Sequence, residues 1–129
     1  MKLITGGAYS GKKRFVTENM NIFPQDIADG SECDFNEVFT AKCVINYHSL
    51  VKRIIAENND PVAFTEKLCE ENSGITVIMD EIGCGIVPVE RTERLWREDC
   101  GRCGCILSGK SDTVIRVVCG IGTVIKGEL

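Results

Sequence analysis

The sequence predicts an α/β fold in which an open, mostly parallel sheet is flanked by helices. Short apolar segments alternate along the chain with segments of helical period, and strands that alternate with helices usually join a parallel sheet. A glycine-rich turn, residues 6–11, also separates the first apolar segment from the first helix. With 129 residues the chain has the length of one domain, so we expect residues 1–129 to form a single unit.

The N-terminal half is expected to contain two strands and two helices. Residues 3–5 form the first strand, and residues 11–20 form the helix that follows it. The polar residues 21–34 have no clear period, whereas residues 35–39 alternate apolar with polar side chains and indicate a short strand. Apolar side chains then recur at steps of three and four, which predicts one continuous helix over residues 41–58.

The C-terminal half repeats the alternation of helix and strand. Asp60 and Pro61 suit the N-cap and first turn of a further helix, and Gly74 is expected to end it. Nearly all-apolar runs predict strands that are buried on both faces. The remaining predicted elements are a strand over residues 75–79, a helix over residues 90–108, a strand over residues 113–119 and an edge strand over residues 123–126.

A phosphate-binding loop is indicated by the turn after the first strand, which fits the pattern G-x-x-x-x-G-K. Gly6 and Gly11 give a tight loop its conformational freedom, and the amides that open the next helix favour an anion together with the Lys12 ammonium. The pattern predicts a P-loop nucleotide-binding domain. Its predicted nucleotide-binding residues are Gly6, Gly7, Ala8, Tyr9, Ser10, Gly11, Lys12 and Lys13.

Lys13 departs from that pattern, because such loops normally place Ser or Thr there as a ligand of Mg²⁺. Two interpretations stay open. The second ammonium adds charge to a site that works without a hydroxyl on Mg²⁺, or it marks a site that binds a nucleotide without turning it over. The expected cofactor is GTP or ATP, with Mg²⁺ lacking its usual ligand, and no residue is assigned to a metal.

Two carboxylates, Asp80 and Glu81, follow the predicted strand over residues 75–79. An acidic residue at the tip of a buried parallel strand is where such folds hold the metal of a bound nucleotide. The alternative is a solvated strand end. The predicted catalytic residues are Lys12, Asp80 and Glu81.

Composition excludes some classes of function. The net charge is −4 and the isoelectric point is about 5.0, whereas general nucleic-acid and anionic-membrane binders need a basic surface. No apolar run is long enough to span a bilayer, and the N-terminus lacks the apolar segment of a signal peptide. We therefore expect a cytoplasmic protein that binds neither nucleic acid nor membranes.

Eight cysteines are expected to be reduced thiols, most of them small core residues. Cys100, Cys103 and Cys105 lie close together and include one C-x-x-C pair, with Cys84 or Cys119 as a distant fourth thiol. A structural zinc site usually needs two such pairs, and a redox pair normally opens a helix. A metal or redox function remains an alternative beside packing.

Two sequence blocks resemble the bifunctional adenosylcobinamide kinase / adenosylcobinamide-phosphate guanylyltransferase family. The loop G-G-A-Y-S-G-K-K is similar to that family's G-G-A-R-S-G-K-S, and the segment D-E-I-G-C-G-I-V-P, residues 80–88, is similar to its N/D-E-V-G-x-G-I-V-P. Arg91 and Arg94 fall in the family's arginine-bearing helix. Residues 100–102 match its A-G-R, and residues 112–121 match its D-E-V-x-x-V-V-x-G-I.

The resemblance implies a P-loop α/β fold, GTP or ATP as the nucleotide, adenosylcobinamide as the acceptor and a homo-oligomer, commonly a trimer. It also implies two activities. One phosphorylates the aminopropanol hydroxyl of cobinamide, and the other transfers GMP to that phosphate through a guanylylated histidine.

Several departures from the family affect these expectations. Family members are longer, and the missing part, between the first helix and the strand over residues 75–79, holds the nucleophilic histidine. The single histidine here, His48, lies on a predicted amphipathic helix and is interpreted as a packing or surface residue. These departures therefore affect the expected kinase activity less than the expected guanylyl transfer. The alternatives are a nucleotide-binding protein without turnover and a cysteine-based metal or redox protein.

Overall fold

A six-stranded sheet with strand order β2-β3-β4-β1-β5-β6 forms the centre of the computed structural model, which describes residues 1–83 and 87–129. The first five strands run parallel, and β6 pairs with β5 in the antiparallel direction. The predicted α/β class with a mostly parallel sheet is confirmed. The strands are β1 (Lys2–Gly6), β2 (Ile27–Asp29), β3 (Cys43–Ile45), β4 (Thr76–Asp80), β5 (Thr113–Val118) and β6 (Ile121–Lys126).

Helices cover the two faces of the sheet unequally. The described helices are α1 (Lys12–Asn19), α2 (Tyr47–Ala56), α3 (Pro61–Glu71) and α4 (Arg91–Lys110). Residues of α2, α3 and α4 form one core cluster with Leu3, Val77 and Val114. On the other face α1 contributes Val16 to a smaller cluster that includes Ile4 and Ile115. Both faces of the central strands are therefore buried, as their apolar composition predicts.

The predicted continuous helix over residues 41–58 is wrong in its first third. Cys43–Ile45 forms β3, which pairs with β4, and α2 begins at Tyr47. Asn46 separates the two elements with a left-handed backbone, φ 55°, that no helix interior adopts. Cys43 and Val44 are fully buried in the sheet, so tertiary pairing overrides the local helical period.

Three further predictions need correction. Residues 35–39 form a short 3-10 helix (Phe35–Phe39) instead of a strand. A second 3-10 helix (Pro24–Asp26) leads into β2, and the sequence predicted neither element because residues 21–34 have no clear period. Gly74 does not end α3, which stops at Glu71. Asn72 closes that end, because its backbone N–H donates to the Leu68 carbonyl oxygen and its side chain donates to the Val38 and Ala41 carbonyl oxygens.

The remaining boundaries agree with the predictions to within a few residues. Asp60 is the N-cap of α3, and its carboxylate accepts a hydrogen bond of 2.9 Å from the Val62 N–H. Helix α4 continues through Gly101 and Gly104 without a break. Within the ranges that the structure describes, no helix combines the length and the apolarity that crossing a bilayer requires.

Candidate functional site

The predicted phosphate loop connects the carboxyl end of β1 to the first residue of α1. Tyr9 and Gly11 have left-handed backbones, with φ of 57° and 90°, and α1 begins at Lys12 immediately afterwards. Gly6 ends β1, where a Cβ would collide with the Val117 carbonyl oxygen. The loop therefore has the tight turn and the helix N-terminus that the sequence pattern predicts.

The turn between β5 and β6 supports this loop from one side. The Gly120 N–H donates a 2.8 Å hydrogen bond to the Ser10 carbonyl oxygen. A Cβ on Gly11 would lie 3.2 Å from the Gly120 Cα, so the two backbones approach closely only because Gly11 lacks a side chain.

The Lys12 side chain is buried and fully hydrogen-bonded within the protein. Its ammonium donates to the Gly7 carbonyl oxygen at 2.6 Å and to the Ser10 hydroxyl at 3.4 Å, and it forms an ion pair of 2.7 Å with Asp80. These three acceptors use the three ammonium donors. A phosphate group at the loop must therefore replace some of them.

Asp80, at the end of β4, joins Lys12 to His48. One carboxylate oxygen, Oδ1, lies 2.7 Å from the Lys12 ammonium, and the other, Oδ2, lies 3.4 Å from Nε2 of His48. The Asp80 backbone N–H donates to Nδ1 of His48 at 3.0 Å. Both ring nitrogens of the histidine thus face the same residue.

His48 is buried, with 8% of its surface exposed, and lies in the first turn of α2. Burial lowers the pKa of His48, and nearby Lys12 lowers it further, while the Asp80 carboxylate acts in the opposite direction. The ring is therefore neutral at pH 7. Its Nδ1 accepts a hydrogen bond, so the single ring proton resides on Nε2 and faces the carboxylate.

Two other contacts fix the position of His48. Its carbonyl oxygen accepts a 2.7 Å hydrogen bond from Nε1 of Trp96 on α4. Asn46, just before α2, donates to the Asp29 carboxylate at 3.0 Å and so connects the start of that helix to the end of β2. The start of α2, which carries the histidine, is therefore bound to α4 through Trp96 and to β2 through Asp29.

Glu81 points away from this group. Its carboxylate forms an ion pair of 3.0 Å with Arg116 on β5, and its backbone N–H donates to the Gly6 carbonyl oxygen at 2.8 Å. The two adjacent carboxylates are consequently bound by different cations. Asp80 lies at the loop, and Glu81 connects the end of β4 to β5.

A cleft of about 950 Å³ opens beside the loop, between α1 and the carboxyl ends of β3 and β4. Such a volume is at the upper end of the range for small-molecule sites. Ile45 and Ile78 give it apolar walls, and Lys13 and Arg14 add cationic groups. Its lining also contains Ala8, Tyr9, Ser10, Gly11, Lys12, Thr17, Pro24, Asn46, His48 and Asp80.

The residues at the loop do not suit the usual Mg²⁺ site of such folds. Lys13 stands at the sequence position of the hydroxyl ligand, and Asp80, the one carboxylate among the described residues that line the cleft, is bound to Lys12 and faces His48. Among the described residues no group of three or more His, Cys, Asp or Glu side chains is arranged to hold a metal ion.

The other predicted candidates lie outside the cleft. Arg91 and Arg94 are exposed residues of the first turn of α4, and Arg94 donates to the Pro88 carbonyl oxygen at 3.2 Å. The described part of the cleft lining includes neither.

The thiols of the cysteine cluster are divided between the core and the surface. Cys100 and Cys103 are buried in α4, whereas Cys105 is exposed on the same helix. Cys119, a proposed distant ligand, is exposed in the β5–β6 turn, and Cys84 lies outside the described residues. The described thiols are therefore packing or surface residues.

Sequence reasoning missed His48 as a member of the site. The predicted helix over residues 41–58 concealed the end of β3, and with it the location of His48 at the carboxyl edge of the sheet. The sequence did contain a signal for His48, since it adjoins the buried Tyr47 and precedes the buried Val51 by three residues, which places it on the inner side of a helix.

Comparison with known proteins gives one family match. A family model described as cobinamide kinase / cobinamide phosphate guanyltransferase matches residues 40–125, about two thirds of the chain. The matched part includes β3, His48, Asp80 and Arg116, and it begins after the phosphate loop. No curated protein matches the chain.

Proposed function

From the premise that the chain belongs to the cobinamide kinase / cobinamide phosphate guanyltransferase family, we propose that its loop binds GTP or ATP and that its kinase activity is the one retained. Membership gives the chain the general character of a nucleotide-binding transferase of cobalamin biosynthesis. The acceptor in this proposal is adenosylcobinamide.

The observation that carries the proposal is the contact between the loop lysine and the strand-end carboxylate beside the cleft. Lys12 lies 2.7 Å from Asp80, at the opening of α1. The helix amides and the ammonium favour a polyphosphate, and the carboxylate lies where a hydroxyl next to that polyphosphate can reach it. Positioning and charge neutralisation account for most of the catalysis of phosphoryl transfer.

In the proposed reaction a hydroxyl oxygen of the acceptor attacks the γ-phosphorus of the nucleotide. An O–P bond forms, the bond from the γ-phosphorus to the β–γ bridging oxygen breaks, and the nucleoside diphosphate leaves. Asp80 accepts the hydroxyl proton as a general base. Lys12 turns from Asp80 to the phosphates and neutralises their charge.

The guanylyl transfer of the family is disfavoured by the state of His48. This is the one histidine of the chain, and a guanylylated intermediate needs a ring nitrogen with a free lone pair. Nδ1 of His48 accepts a hydrogen bond from the Asp80 N–H, and Nε2 carries the ring proton. In this arrangement the lone pair of Nδ1 is engaged by that hydrogen bond, and a nucleophilic role requires it to break.

The Lys12→Ala variant tests the nucleotide site. We expect its binding of GTP or ATP to be weaker by roughly 1.5–3 kcal/mol, because a charged hydrogen bond to phosphate is lost. Isothermal titration calorimetry measures this change, and Lys67→Ala, which removes an exposed lysine of α3, is the matched control. Equal affinity of Lys12→Ala and the wild type would count against the site. Product analysis with adenosylcobinamide then tests the transfer.

Lys13→Ser tests whether the second ammonium replaces the metal. We expect nucleotide binding by the wild type to change little when Mg²⁺ is removed with a chelator, since Lys13 supplies positive charge without a metal. The serine variant restores the usual hydroxyl ligand, so its affinity should fall upon chelation. Calorimetry with and without Mg²⁺ on both proteins measures the difference. A wild-type affinity that depends on Mg²⁺ as strongly as that of the variant would refute this role.

A further inference from the structure

His48 contacts Asp80 through both nitrogens of its ring, which is more than packing requires. Nδ1 accepts a 3.0 Å hydrogen bond from the Asp80 backbone N–H, and Nε2 lies 3.4 Å from Oδ2 of the carboxylate. The backbone N–H and the carboxylate of the same acidic residue therefore both lie beside this imidazole. This arrangement places Oδ2 of the carboxylate beside Nε2 of the ring.

The two carboxylate oxygens of Asp80 face different partners. Oδ1 faces the Lys12 ammonium at 2.7 Å, and Oδ2 faces the imidazole of His48. Of these two partners, Lys12 is the one that a phosphate competes for, because its ammonium carries a positive charge. When Lys12 turns to a phosphate, Oδ1 loses its partner, whereas Oδ2 keeps its own.

His48 is unable to follow the phosphate as Lys12 does. Its carbonyl oxygen is bound to Nε1 of Trp96 at 2.7 Å, and its Nδ1 is bound to the Asp80 backbone N–H at 3.0 Å, so neither contact involves the ammonium that a phosphate attracts. The side chain of Asp80 is about one-fifth exposed, so it is free to rotate once the lysine leaves unless another group holds it. His48 is the neighbour that remains in place.

We propose that His48 is a positioning residue that holds the Asp80 carboxylate toward the cleft after Lys12 has moved to the nucleotide, so that Oδ1 is free to accept the proton of the acceptor hydroxyl. This inference rests on the proposed kinase function. It assigns to the single histidine of the chain a role in orienting the base, with no covalent intermediate.

Two substitutions separate the two contacts of the ring. His48→Asn keeps an acceptor near the position of Nδ1 but has no donor that reaches Oδ2. His48→Gln places an amide N–H near the position of Nε2. With adenosylcobinamide and ATP or GTP, we expect His48→Asn to retain the wild-type KM for the nucleotide and to lose kcat by about ten- to a hundredfold, since a misplaced group costs this much.

His48→Gln should recover part of the lost kcat, because it restores the donor to the carboxylate. A merely structural role predicts instead equal losses in both variants, together with weaker nucleotide binding. That result, or an unchanged kcat in His48→Asn, would overturn the inference.

A spectroscopic measurement tests the same arrangement without turnover. Since the chain has one histidine, ¹⁵N-labelled histidine gives a single imidazole in the NMR spectrum. We expect a protonated Nε2 and an unprotonated Nδ1 in the wild type and in Lys12→Ala, which removes the lysine from Asp80 as a bound phosphate does. Imidazole signals in Lys12→Ala that show an average of the two tautomers would contradict the proposal. Absence of phosphoryl transfer by a wild type with the expected spectrum would count against the kinase function instead.

Discussion

Burial divides the cysteine side chains into unreactive and reactive groups. Cys33, Cys43, Cys69, Cys100 and Cys103 are buried, and Cys105 and Cys119 are exposed. Burial raises the pKa of Cys43 and of Cys100 to about 12 and the pKa of Cys103 to about 11. Because the thiolate is the reactive form, these thiols should be inert at neutral pH.

Thiol labelling of the native protein tests this division. At pH 7.5 we expect iodoacetamide to modify Cys105 and Cys119 and to leave Cys43, Cys100 and Cys103 unmodified, with mass spectrometry of peptides as the readout. Labelling in denaturant is the control, since it should modify all of them. Rapid modification of Cys100 and Cys103 in the native protein would revive the redox hypothesis.

At the scale of elements, the cap of α3 illustrates how a local sequence signal becomes structure. Asp60 accepts a hydrogen bond from the Val62 N–H, and Pro61 occupies the first helical position, where its missing N–H costs nothing. This helix packs on α4 and so helps to hold the helix that contacts His48 through Trp96.

Asp60→Ala should destabilise the protein by about 1 kcal/mol, because the first turn of α3 loses its side-chain acceptor. Urea denaturation monitored by circular dichroism measures the change. Asp34→Ala is a matched control, since Asp34 precedes a 3-10 helix without a side-chain cap bond and its removal should cost less. Equal losses of stability in the two variants would contradict the importance of the cap.

The elements differ in how well the sequence predicts them, for physical reasons. Strands β1, β4 and β5 are central and apolar, and α3 has a strong start signal, so local information is sufficient for them. Strand β3 has three residues and belongs to the sheet through its pairing with β2 and β4, which no local pattern reveals. The predicted phosphate loop has the expected turn. The contact of His48 with Asp80 could not be predicted, because it depends on where β3 ends.

At the scale of the whole molecule, the larger core lies between the sheet and the three helices α2, α3 and α4. Leu107 on α4 is fully buried in it, together with Leu68 and Ile75. The opposite face has the smaller cluster under α1, next to the cleft. Most of the apolar burial is thus on the face that carries α2, α3 and α4.

Leu107→Ala should therefore destabilise the protein by about 2–5 kcal/mol, the usual cost of a cavity at a buried leucine. Leu95→Ala, on the same helix but 42% exposed, is the control and should cost far less. Denaturation midpoints in urea compare the two. Similar midpoints would show that this core contributes less than its burial indicates.

The hydrogen bond from Gly120 to Ser10 has one more consequence. The edge hairpin of β5 and β6 touches the predicted phosphate loop directly through its backbone. The position of the Ser10 carbonyl oxygen, and with it one wall of the cleft, therefore depends on the backbone of an edge hairpin that does not itself line the cleft.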